Sequence, residues 1–289
     1  GAPRSGDATG RDCRRTPTAP MYEPEQWNGG GVSIKALIFD VDGTIADTEE
    51  THRQAFNAAF LEHGLPWDWS RREYAELLRT SGGKERLVAY IESLRLEPQE
   101  QTRLKRTVQL IHGSKTRIYA ELIADGRAPL RPGVARLIGE ARAGGVRLAI
   151  ASTTTSANIA ALIGAQFGAE AWNWFEALAC GDVVSSKKPA PDIYTRALGM
   201  LRLPAADCVA FEDSVNGLRS AKAAGLYTVV TPTAWSEGQD FSGADLLLGS
   251  LGDAAAPLAG GDARLAGGPY LTLERLQQLH TAALRQAAA

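Results

Sequence analysis

No apolar run in this chain approaches the ~20 residues that a bilayer-spanning helix needs, so a membrane is not expected as its setting. Cysteine is scarce as well. Cys13, Cys180 and Cys208 are the only three, at spacings that fit neither a zinc site nor a disulfide framework, and a reducing compartment is the default expectation. Charge of one sign is not in excess either: 31 basic against 33 acidic side chains leave a formal net charge of −2. That balance argues against nucleic acid or an anionic membrane as partner, while a local basic cluster could still grip a small anion. No internal repeat is found. What the 289 residues do have is 44% hydrophobic content, enough for a sizeable core in one large or two small domains.

Residues 1–33 carry Pro, Gly, Thr and Arg without apolar periodicity and are expected to be a disordered amino-terminal extension. Arg4, Arg11, Arg14 and Arg15 would suit the remnant of an organelle transit peptide, Asp7 and Asp12 count against it, and a plain extension is an equal reading. Residues 34–39 form an apolar run of strand length, closed by Asp40 and Gly43. From Glu49 the pattern turns helical, with His52, Ala55, Phe56 and Ala59 on one face, and helix-prone sequence continues to about Ile123. Beyond Pro132-Gly133 the pattern alternates. Val134, Leu137, Ile138 and Ala141 mark a helix ended by Gly144-Gly145, and residues 146–151 read as a strand. Residues 208–211 give another strand, 214–224 a helix stopped by Gly225, and 227–231 a further strand. Short links between such units imply an α/β fold with a parallel sheet. The expected division is therefore a core of residues 34–46 and 128–250, a helical insertion at 47–127, and a tail at 251–289. Residues 249–268 are Ala/Gly-rich and expected to be a flexible linker, with Leu273, Leu276 and His280 on a terminal helix.

Four strand ends carry chemistry. In Phe39-Asp40-Val41-Asp42-Gly43-Thr44 two carboxylates stand two positions apart, so in extended backbone they point the same way at the carboxyl end of a buried strand, where open α/β sheets bind ligands. One could attack phosphorus while the other reaches the leaving oxygen; a turn that merely uses Asp is the competing reading. Ser152 ends the second strand, followed by Thr153, Thr154 and Asn158, which could hold phosphate oxygens or simply cap a helix. Lys187-Lys188-Pro189 opens another helix, and Lys188 could neutralise both a nucleophilic carboxylate and a phosphoryl group, or be a solvated lysine before a proline. Glu212-Asp213 ends a third strand. Paired acids there are costly unless they meet a cation, and Mg²⁺ suits phosphate chemistry; an Asp helix cap is the alternative.

In this order the four stations resemble those of the haloacid dehalogenase superfamily, over about residues 34–249. The resemblance implies a flavodoxin-like (Rossmannoid) core with a parallel sheet and an α-helical cap inserted after the first motif. It also implies catalytic roles for Asp40 as nucleophile, Asp42 as general acid/base, Ser152 and Lys188. Mg²⁺ would contact Asp40, the Asp42 carbonyl and Asp213, with Glu212 assisting directly or through water.

The insertion speaks to substrate. Thr80-Ser81-Gly82-Gly83-Lys84-Glu85-Arg86 offers a glycine turn flanked by cations, and His112, Lys115 and Arg117 add a polar cluster, in which Arg117 reads better as an exposed helix face. With Leu130-Arg131-Pro132-Gly133 and Ala179-Cys180-Gly181-Asp182-Val183-Val184, these strings resemble the CbbY branch of the β-phosphoglucomutase-like subfamily. By that resemblance the chain would hydrolyse xylulose-1,5-bisphosphate, an inhibitory by-product of Rubisco, to xylulose 5-phosphate. Glu49, His52, Gly82, Gly83, Lys84, Glu85, Arg86, His112, Lys115, Ser152, Thr153, Thr154, Asn158 and Lys188 would contact the sugar and its phosphates. A monomer acting in the chloroplast stroma, or in a bacterial cytoplasm, is expected. The rivals are a β-phosphoglucomutase-like mutase, in which His52 holds the position that tunes phosphoryl return to sugar, and a non-catalytic Calvin-cycle regulator.

Overall fold

The computed structural model describes residues 34–181 and 183–288; the expectation for residues 1–33, and Cys13 with it, lies outside the described residues. Strand β1 (Ala36–Phe39) is buried at all four positions, the pattern of a strand covered on both faces. It lies in the middle of a six-stranded parallel sheet with β2 (Arg147–Ser152), β3 (Phe175–Cys180), β4 (Cys208–Glu212), β5 (Tyr227–Val230) and β6 (Leu246–Leu247), in the order β3-β2-β1-β4-β5-β6. Of the common doubly wound orders this is the Rossmann type, whose sense reverses between β1 and β4. Phe39 pairs with Ile150 on one side and Phe211 on the other. The residues that follow each of these three therefore leave the sheet at one edge, beside the reversal.

The two faces are built differently because β1 alternates. Leu37 and Phe39, with Leu148, Ile150, Val209 and Phe211, meet helices α5 (Val134–Ala143) and α6 (Ser156–Phe167) in one large core. Ala36, with Ala149, Ala151, Ala177, Ala179 and Ala210, forms a shallow opposite face that lets α7 (Asp192–Leu201) and α8 (Val215–Ala223) approach closely.

Between β1 and α5 stand four helices, α1 (Glu49–Glu62), α2 (Arg71–Leu77), α3 (Gly83–Ser93) and α4 (Pro98–Ala124). They enclose an aromatic core of their own, with Phe56, Phe60, Trp69 and Tyr74 completely buried. The longest of them, α4, starts with Pro98 in its first turn, where a missing N–H costs nothing.

Two strands went unread in the sequence. β3 is Phe-Glu-Ala-Leu-Ala-Cys, with no β-branched residue to mark it, and β6 has only two residues. The expected flexible linker needs correction. Leu251, Ala266 and Leu271 are buried in the same core as α5, and residues 260–266 form helix α9 (Gly260–Ala266). Arg136 of α5 donates to the carbonyls of Leu251, Gly252 and Leu271, stitching the stretch down. A handful of leucines outweighs the Ala/Gly composition, which alone suggested a linker. The last helix, α10 (Leu273–Ala287), buries His280 edge-on against the Tyr227 ring, 5.4 Å between centroids. No helix among the described residues is long and apolar enough to cross a membrane.

Candidate active site

Asp40 follows β1 at the reversal point and is 7% exposed. The Lys188 ammonium donates to Asp40 Oδ1 and to Glu212 Oε1, both at 2.6 Å, and the Tyr194 hydroxyl donates to the same Glu212 oxygen at 2.6 Å. Asp40, Glu212 and Asp213 bring carboxylate oxygens within 4.8 Å of one another, all three residues buried. One ammonium does not balance this cluster. Burial first, and then repulsion from Glu212 and Asp42, push the Asp40 carboxyl up to about 8 against the pull of Lys188. Burial, then Asp40, Glu212 and Glu49, hold Asp213 well above the usual carboxylate range. Glu212 Oε2 is buried without a hydrogen-bond partner among the described residues. Oxygen donors alone, crowded and short of positive charge, are what a hard divalent cation requires. The backbone is shaped for the same approach: Gly43, at φ +81°, lies so near Asp213 that a β-carbon would stand 2.2 Å from its carboxylate.

Asp42 is not part of that cluster. Its Oδ1 accepts from the Thr48 hydroxyl at 2.7 Å and lies 2.8 Å from His52 Nε2. Since the Lys115 ammonium, 2.7 Å from His52 Nδ1, can only donate, Nδ1 accepts and Nε2 carries the proton toward Asp42. Burial, then Lys115, lower the His52 pKa, so the ring is neutral, and it stacks on Tyr119 at 4.1 Å. Burial works against ionisation of Asp42, while hydrogen bonds from His52 Nε2–H, Thr48 and Thr154 hold the carboxyl below its ordinary value. Lys115 itself lies over the Phe56 and Tyr119 rings, and burial lowers it to about 8. Of the expected metal contacts, the Asp42 side chain is thus engaged elsewhere, which leaves its carbonyl.

One pocket between sheet edge and insertion is lined by every residue expected to touch substrate or metal except Glu212, which instead accepts from Lys188. β2 supplies Ser152, with Thr153, Thr154 and Asn158 after it; α1 supplies Glu49 and His52; α3 and the turn before it supply Gly82, Gly83, Lys84, Glu85 and Arg86; α4 supplies His112 and Lys115. The amino terminus of α3 opens onto this space, and a β-carbon on Gly83 would meet His112 Nε2 at 2.6 Å. Arg86 is partly committed. It donates to the Tyr74 hydroxyl at 3.0 Å and to the Leu77 carbonyl at 3.2 Å, while Tyr74 donates to Glu49 at 2.8 Å, so it braces the wall as well as lining it. Arg117 lies on the outside, paired with Glu62 and Glu121. Sequence reasoning missed Ser81, Asn216, Trp235, Ser236 and Gln239 as lining residues. Ser81 lies in the string of residues 80–86, Asn216 in the string after Asp213, and Trp235 is an aromatic in a loop; Ser236 and Gln239 carried no signal.

Residues 34–225 match the model of the haloacid dehalogenase-like hydrolases. The chain belongs to this family. Protein CbbY of Rhodobacter capsulatus is 53% identical over 224 residues, 78% of this chain and 96% of that protein. A crystal structure of a CbbY mutant from Rhodobacter sphaeroides in complex with xylulose-(1,5)bisphosphate is 46% identical, with a TM-score of 0.71, covering 77% of this chain and 98% of that one. The β-phosphoglucomutase of Bacillus subtilis is 30% identical over 227 residues, 76% of this chain and 91% of that enzyme. This haloacid dehalogenase-like hydrolase is an enzyme of the phosphatase type.

Proposed function

We propose that this chain is a Mg²⁺-dependent sugar-bisphosphate phosphatase that converts xylulose-1,5-bisphosphate to xylulose 5-phosphate and inorganic phosphate. The observation that carries this reading is a pocket with two cationic ends. Lys188 and Ser152 stand at the strand ends, and Lys84, with the α3 amino terminus, stands across from them on the insertion. A monophosphate needs only the first. The CbbY crystallised with this bisphosphate supports the choice of sugar. The setting that goes with it is one that contains Rubisco, the plastid stroma or the cytoplasm of a carbon-fixing bacterium.

Asp40, Asp213 and the Asp42 carbonyl would hold Mg²⁺, which supplies positive charge for the phosphoryl oxygens and draws the neighbouring carboxyls into their ionised forms. Asp40 then attacks phosphorus, its P–O bond forming as the bond to the sugar oxygen breaks, with Lys188 offsetting charge on both carboxylate and phosphoryl group. Asp42 is ionised in the free protein, so it would take up a proton as the anionic substrate binds beside it and then give that proton to the departing sugar oxygen. In its ionised form it is the base that deprotonates the water attacking the aspartyl phosphate, and His52 Nε2–H orients it for that step. Ser152 and Thr153 hold equatorial oxygens. Glu49, facing Tyr74, offers an acceptor for a sugar hydroxyl.

Purified protein with Mg²⁺ should release phosphate from xylulose-1,5-bisphosphate far faster than it isomerises glucose 1-phosphate. Mutase turnover without phosphate release would overturn the reading.

A further inference from the structure

Two side chains of the sheet domain reach across to the helical insertion at the pocket mouth. Asn216, half-buried in the first turn of α8 and three residues after Asp213, donates from Nδ2 to the Arg79 carbonyl at 2.9 Å and to the Ser81 hydroxyl at 3.3 Å. Trp235, in the loop after β5, meets the Tyr74 ring edge-on at 5.6 Å between centroids, with the Arg71 guanidinium 5.9 Å from its own ring centre. Arg79 and Ser81 belong to the turn that sets the amino terminus of α3. Tyr74 is the residue that receives Arg86 and donates to Glu49. Both contacts therefore act on groups facing the far end of the pocket, and both start from segments that follow a strand end.

We propose that Asn216 and Trp235 form a latch that fixes the α3 turn at a set distance from Asp40, making them positioning residues that select a substrate with a second phosphate. The selection rests on the bisphosphate reading; the latch does not. A small monoester needs only the strand-end groups, so it reacts whether or not the turn is held. A bisphosphate gains from the α3 amino terminus and Lys84 only when the turn is held at the right span, since each binding contact must be made without a fresh ordering cost. Neither latch residue touches the reacting phosphoryl group in this account.

The test compares Asn216→Ala, Trp235→Ala and Trp235→Phe with wild type. Two readouts are taken: kcat and KM for xylulose-1,5-bisphosphate and for xylulose 1-phosphate, which lacks the far phosphate, and amide hydrogen exchange over residues 79–83. Losing two hydrogen bonds predicts that Asn216→Ala lowers the bisphosphate-to-monophosphate ratio of kcat/KM by about tenfold, mainly through KM, and speeds exchange in the turn. Trp235→Ala does the same, and Trp235→Phe, which keeps an aromatic edge for Tyr74, recovers most of the ratio. A general loss of folding would instead depress both substrates together and leave the ratio intact. Wild-type exchange in the turn of both alanine variants overturns the latch, and faster exchange with an unchanged ratio, in an enzyme that does prefer the bisphosphate, overturns the selection. Faster exchange in the variants of an enzyme with no bisphosphate preference would uphold the latch and refute the bisphosphate reading.

Discussion

On the proposed reading each end of the pocket holds a phosphate, and the two ends are built in different ways. At the sheet edge the groups are charged, crowded and rigidly placed: Asp40, Glu212 and Asp213 sit around Lys188 at the ends of β1 and β4, and β1 is held in register by β2 on one side and β4 on the other. At the insertion the groups stand on helices around an aromatic core, and their placement depends on side-chain contacts such as Arg86 to Tyr74. The difference teaches where chemistry and selection reside. Phosphoryl transfer needs charge in fixed positions, which strand ends provide; choosing among sugars needs a wall that can be rebuilt without disturbing them.

The largest expected effect comes from breaking the rigid end. Lys188→Met leaves two buried carboxylates without their cation, so it should destabilise the fold by roughly 3–5 kcal/mol and cut kcat by about a thousandfold or more. Denaturant unfolding and phosphate release measure the two. A small loss in both would mean that the sheet edge is not governed by charge. At the other end, Gly83→Ala drives a β-carbon into His112, and KM for the bisphosphate should rise about tenfold while kcat changes far less. Equal losses in kcat for all substrates would erase the division between the ends.

A smaller effect reads Lys115, a cation of the insertion linked to Asp42 through His52. Burial lowers Lys115 to about 8, so its charge is complete well below that pH and is lost as pH rises through it. The kcat/KM for the bisphosphate should therefore fall a few-fold between about pH 7.5 and pH 9, and Lys115→Met should be lower throughout and lack that step. The smallest effect lies away from either end. His280 is fully buried with neither ring nitrogen partnered among the described residues, and burial lowers its pKa against the pull of Asp207 and Asp245. The unfolded chain therefore takes up a proton near pH 6.5 that the folded one resists, so stability is full above that pH and declines below it. His280→Leu should flatten the pH dependence of unfolding between pH 5 and 7 without altering turnover, which places that slope in the docking of α10 and not in the pocket.

How much of this was legible beforehand follows the same division. An acidic pair closing an apolar run is visible in one dimension, so Asp40, Asp42, Glu212 and Asp213 stand out, and parallel register does the rest. The insertion was legible as helices, since Phe56 and Ala59 repeat at helical spacing, but its contacts were not. Lys115 and His52 are 63 positions apart, and nothing local says that one fixes the tautomer of the other. Asn216 and Trp235 read as ordinary loop and helix residues until the fold brings them opposite Ser81 and Tyr74. The tail misled for the opposite reason: its composition is that of a linker, and only the partners of Leu251 and Leu271 make it part of the core.

The most direct test of the division between chemistry and selection is phosphate release from xylulose-1,5-bisphosphate in Mg²⁺, run side by side with wild type and Asp40→Asn. The account predicts rapid release by wild type, loss of activity on removal of the metal with EDTA, and no measurable release by a folded Asp40→Asn that still binds the bisphosphate. A folded Asp40→Asn that turns over at a rate near wild type would contradict it.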